Sequence, residues 1–71
     1  MIDGKSTAAE YISGYLTGHS AGTVDAPRDP DRPGRSAYNA GYDAGYEDAI
    51  CGEFAEYSKE DLQAAENGLF F

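Results

Sequence analysis

Tyr11-x-x-Gly14-Tyr15-x-x-Gly18-His19-x-x-Gly22 recurs as Tyr38-x-x-Gly41-Tyr42-x-x-Gly45-Tyr46-x-x-Ala49, 27 residues further along the chain. Residues three and four apart share one face of an α-helix. The two copies therefore predict two equivalent helices, each striped with alternating aromatic and minimal side chains. Glycine inside a helix costs about 1 kcal/mol against alanine, and the copies hold five of the nine glycines. That cost needs an offset, and close approach of a facing backbone or ring supplies one. Two such helices can pack antiparallel, each tyrosine ring filling the other's glycine notch while the hydroxyls reach solvent or loop carbonyls. Tyrosine with glycine also makes a recognition surface, so the stripe is either a core or a partner-binding face. Tyr46 and His19, at its edge, are expected to be more exposed than Tyr42 and Tyr15.

Outward from the stripes, Thr7 with Glu10 fits a capping box, with Ser6 as a competing cap, and predicts a first helix over 8–20. Ala8, Ile12 and Leu16 widen its apolar face, and Gly22 could equally be the left-handed residue that ends it. A loop over 23–35 holds all three prolines, Pro27, Pro30 and Pro33. It is long for a helix-hairpin connector and reads as a solvated linker, a stiff crossover or a functional loop. A second helix is expected over 36–51, with Gly52 as its stop. Ser58-x-x-Asp61 predicts the cap of a third helix over 58–67, ended by Asn67-Gly68. Phe54, Leu62, Leu69, Phe70 and Phe71 are expected to cover an open side. The expected fold is all-α: a helical hairpin of two Tyr/Gly-striped helices, a proline-rich connector and a short C-terminal helix, in one small domain spanning 1–71.

The chain has 71 residues and a formal net charge of −8. A fold of this size is marginal alone and usually needs a staple. Cys51 is the only cysteine and His19 the only histidine, so an internal disulfide and a histidine-rich metal cluster are excluded and no cofactor is expected. Self-association as a homodimer, or another partner, is the staple that remains. No basic leader with an apolar run and no long apolar stretch is present, so the reading is cytoplasmic, without a membrane span. The acidity is uneven: residues 36–71 carry eight acids and one base, Lys59, and no base lies between Ser36 and Ser58. Such a surface repels nucleic acid and attracts a basic partner, although acidity also simply keeps a small protein soluble.

No arrangement supports catalysis. His19 and Cys51 lack the spacing of a nucleophile pair, and Asp29-x-Asp31 lacks a calcium ladder and sits among arginines. The glycines run along helices rather than in a phosphate cradle. The candidate site residues are therefore those of a binding surface: an acidic face of Asp43, Glu47, Asp48, Glu53 and Glu56, and an aromatic edge of Tyr38 and Tyr46. The partner they imply is a basic nucleic-acid-binding host protein or complex, with no direct nucleic-acid binding.

Gly14-Tyr15-x-x-Gly18, a proline-bearing loop and Tyr38-x-x-Gly41-Tyr42 together resemble the ribosome modulation factor family over residues 11–49. That resemblance implies two Gly/aromatic helices and a module that binds a ribosome-associated partner. The family's Cys-Pro-Tyr loop segment is replaced here by Ala26-Pro27-Arg28, and its basic charge is reversed, so binding to ribosomal RNA is not carried over. In brevity, acidity and Tyr-Gly helices the chain is also similar to small phage accessory proteins, among them anti-CRISPR proteins and DNA mimics. The expected function is that of a small non-enzymatic, stoichiometric inhibitor that blocks a basic nucleic-acid-binding surface. A ribosome modulation factor-like module and a structural homo-oligomer are the alternatives.

Overall fold

The structure, a computed structural model, describes residues 4–67, with side chains from residue 7 onward. Three helices follow in order: α1 over Gly4–Thr23, α2 over Ser36–Ile50 and α3 over Lys59–Glu66. Among the described residues there is no strand. α1 starts before the expected Ala8, so Ser6 and Thr7 lie inside the helix rather than at its start. It also runs through Gly22, and the left-handed residue that ends it is Asp25, at φ 60°. Gly52, at φ 80°, closes α2 as expected. α3 carries the capping box on Ser58 and Asp61, with Asp61 N donating to Ser58 Oγ and Ser58 N donating to Asp61 Oδ2.

α1 and α2 pack on each other along their lengths, but in parallel rather than antiparallel. Gly14 lies against Tyr38, Gly18 against Tyr42, and Gly22 against Tyr46 and Ala49, so both chains climb together. The reciprocal contacts obey the same offset of 27: Gly41 lies against Tyr11 and Gly45 against Tyr15. The connector permits the parallel direction. Residues 24–35 can extend to about 35 Å at a polyproline rise, whereas α2 is about 22 Å long. The chain therefore has length to return to the level of the start of α1 before α2 begins.

The contacts at the glycines also differ from ring-in-notch packing. A Cβ on Gly14, Gly18, Gly41 or Gly45 would fall 2.0–2.2 Å from a tyrosine carbonyl oxygen of the other helix. Glycine admits the facing backbone itself, in the arrangement that small-xxx-small helix pairs adopt and that Cα–H···O contacts support. The rings project sideways from the crossing, where the connecting segments cover them.

Those segments are two straps, residues 24–35 and 51–58, and they are related by the same offset. Each helix ends in a Schellman turn. Asp25 N donates to Gly22 O and Ala26 N to Ala21 O; their counterparts are Gly52 N to Ala49 O and Glu53 N to Asp48 O. The first strap descends over the aromatic row of α2, where Tyr46 Oη donates to Ala26 O at 2.6 Å and Asp29 N donates to Tyr42 Oη at 3.2 Å. The second descends over α1, where His19 Nε2 bonds Glu53 O at 2.9 Å and Glu56 N donates to Tyr15 Oη at 2.9 Å. Each pair differs from its counterpart by 27 residues in both members. The described molecule is thus two copies of a helix–turn–strap unit wound about each other.

α3 packs on α1 alone. Ile12, Tyr15, Tyr38, Tyr42 and Ala65 form the buried core, with Tyr15 at 0 % and Ile12 at 1 % exposure. Among the described residues Phe54 is 96 % exposed; the side chain its strap lays on α1 is that of Tyr57, beside the backbone contacts of Glu53 and Glu56. Leu62 is half-buried. The expected contribution of Leu69, Phe70 and Phe71 lies outside the described residues.

Candidate partner-binding surface

The three arginines are all engaged by the fold. Arg28 pairs with Asp31 at 3.0 Å and with Asp43, and its guanidinium lies 5.6 Å from the Tyr42 ring centre. Arg32 and Arg35 lie over Tyr38 at 5.0 and 4.6 Å, and Arg35 also grips Glu10 with both ends of its fork at 2.7–2.9 Å. Cation–π contact and ion pairing hold the first strap on α2. They also spend the positive charge of that half locally.

The five acids named from the sequence do not form one face. Asp43 and Glu47 are exposed on the outer side of α2, with Asp43 carrying Arg28. Asp48 is half-buried, and its Oδ2 accepts the Tyr15 hydroxyl at 2.5 Å, so it serves the fold. A helix turns about 100° per residue, which sets Asp48 well around from Asp43 and Glu47. Glu53 and Glu56 stand exposed on the second strap, over α1. The carboxylates of Glu47, Glu53 and Glu56 take part in none of the ion pairs of the described residues.

Of the aromatic edge, Tyr38 is buried at 7 % exposure beneath its two arginines, and Tyr46 is half-buried with its hydroxyl on Ala26 O. Tyr15 and Tyr42 are the more buried pair and Tyr46 and His19 the more open one, as their place on the stripe implies. Burial, followed by the hydrogen bond to Asp48, pushes the Tyr15 phenol up to about 12. Burial, followed by the nearby Glu56 charge, raises Tyr57.

A groove that the sequence reading missed runs along the outer face of α2. Ala40, Ala44, Tyr46 and Ile50 line it together with Arg28, Asp43 and Glu47. Ile50 is 57 % exposed there. Its alanines and acids repeat at helical spacing, but the sequence drew attention only to the acids, and only the first strap's return places Arg28 at the rim. Among the described residues no cluster of His, Cys, Asp and Glu could hold a metal ion, and none of the helices is long and apolar enough to cross a membrane.

Comparison of the chain with family models, with curated proteins and with solved structures gives no match.

Proposed function

We propose that this protein is a small acidic binding module, non-enzymatic, that occupies a basic nucleic-acid-binding surface of a partner protein as a stoichiometric blocker. The observation that carries the reading is the fate of the charges. The arginines are held on tyrosine rings and in ion pairs, while Glu47, Glu53 and Glu56 stand exposed without a cation. Pairing leaves the net charge of −8 unchanged, and the exposed carboxylates left without a cation include Glu47, Glu53 and Glu56 of the second half. An acidic field of this kind speeds encounter with basic surfaces and repels nucleic acid. The likeness in size and charge to phage DNA mimics agrees with this reading. A cytoplasmic site of action fits the same reading.

Glu47→Gln, Glu53→Gln and Glu56→Gln in one chain test it, since these carboxylates make no ion pair in the fold. The expected outcome is a nucleic-acid-binding protein captured from bacterial lysate by the unaltered chain, displaced by duplex DNA or by salt, and lost with the triple variant. Equal capture by both chains, or capture indifferent to DNA, overturns the reading.

A further inference from the structure

The structure assigns the groove on the outer face of α2 a specific occupant: an arginine-bearing amphipathic helix of the basic partner, laid along Ala40, Asp43, Ala44, Glu47 and Ile50. This rests on the proposed function and names where and how the partner docks. Three observations carry it. First, the two helices are unequal in cover. α3 lies on α1, and among the described residues no helix beyond α1 packs on α2. Second, the groove's floor is apolar and low, because Ala40 and Ala44 are one turn apart and Ile50 and Tyr46 close one end. Small residues at that spacing let another helix approach closely, and i, i+3, i+4, i+7 anchors are how a helix fits a groove. Third, the chain itself shows which cation the groove accepts. Arg28 reaches in from the strap with its guanidinium on Asp43 and over the Tyr42 ring, leaving Glu47 unpaired one turn along. An incoming arginine meets Glu47 directly, and a second one competes with Arg28 for Asp43. Charge alone would serve an extended cationic chain equally well; the apolar floor selects a helix with a nonpolar side.

The experiment uses the full chain and two probes: a synthetic amphipathic helix with arginines along one side and leucines along the other, and an oligoarginine of equal charge without leucine. Binding is followed by amide chemical shifts and titration. The expected result is tighter binding of the amphipathic probe, with shifts centred on Ala40, Ala44 and Ile50. Ala40→Arg, an exposed helical position where arginine is a good helix former, should weaken it on the order of tenfold, and Glu47→Gln several-fold. Glu66→Gln, an exposed position on α3 outside the groove, removes the same charge and should leave it unchanged. Helicity measured on each variant separates loss of site from loss of fold, and Glu47→Gln removes only a charge. Equal affinity for both probes overturns the inference. So do shifts confined to residues 51–58 with Ala40→Arg neutral, an outcome that leaves the acidic-surface reading standing. Failure of both probes to bind at low salt overturns the inference and that reading together.

Discussion

Over α2 the aromatic row lies beneath guanidinium groups, and over α1 the equivalent row lies beneath another tyrosine. Tyr38 and Tyr42 are covered by Arg28, Arg32 and Arg35, whereas Tyr11 and Tyr15 meet the edge of Tyr57 at 6.2 and 5.2 Å. The skeleton beneath is shared down to individual backbone hydrogen bonds. The difference teaches that backbone geometry defines this unit and that the cover is free to vary. The first strap covers the row of α2 with cations, and two of these also pair with acids of α1 and α2. The second covers the row of α1 with an aromatic ring and leaves Glu53 and Glu56 to solvent.

The equivalence of the two halves is most severely tested at the helix crossing. In Gly14→Ala the new Cβ would meet Tyr38 O at 2.1 Å, and in Gly41→Ala it would meet Tyr11 O at 2.0 Å. Neither carbonyl can move without unwinding its own helix. Each substitution should cost about 3 kcal/mol or more, enough to abolish cooperative thermal unfolding in a domain of this size. The two losses should be alike within experimental error. Tolerance of one and collapse of the other would show that the crossing is not a true two-fold.

The aromatic rows give a smaller and deliberately unequal effect. The hydroxyls of Tyr15 and Tyr42 each accept a strap N–H, but only Tyr15 also donates to a carboxylate, Asp48. Tyr42→Phe should cost about 1 kcal/mol and Tyr15→Phe about 2 kcal/mol, since the latter strands a part-buried carboxylate as well. The same group sets an alkaline limit. Its folded value of about 12 stands above the ordinary 10, so its contribution is complete below pH 10 and is lost as pH rises toward 12, where the unfolded chain ionises first. Denaturant titrations should show stability falling across that window in the unaltered chain and falling less in Tyr15→Phe. An equal decline in both would remove Tyr15 as the source.

The helices were legible in the sequence because they are written in side chains: period, glycine placement, the Ser58–Asp61 cap and the Gly52 stop are all residue-level signals. The parallel direction was not, since a spacing of three and four is the same read upward or downward, and the length of 23–35 fits a linker as well as a crossover. The repeat was visible only in the helices. In the straps Ala26 answers to Glu53 and Asp29 to Glu56, yet what is repeated is a carbonyl and an N–H, which any residue but proline supplies. The candidate acidic surface was legible as composition and not as geometry. Asp48 looks like its neighbours in the sequence, but only the fold sets it against the Tyr15 hydroxyl. The groove was hidden because Ala40 and Ala44 signal nothing until Arg28 arrives from another segment.

The smallest effect probes the turn on which each strap departs. Asp25 and Gly52 occupy the same left-handed position of the two Schellman turns, at φ 60° and 80°. For an L-residue that region costs about 1–2 kcal/mol, less for aspartate, whose side chain bonds locally. Asp25→Gly removes the strain but adds freedom to the unfolded chain, for a net gain of about 0.5 kcal/mol. Gly52→Asp should lose about as much or slightly more, because the second strap has no guanidinium cover to hold it down. Urea unfolding of the two single variants and of the exchanged double measures this directly. An exchange that nearly cancels means the turns are interchangeable parts of one repeated unit. A double variant much less stable than the original means that the second copy depends on its glycine in a way the first does not, and that the equivalence stops at the helix ends.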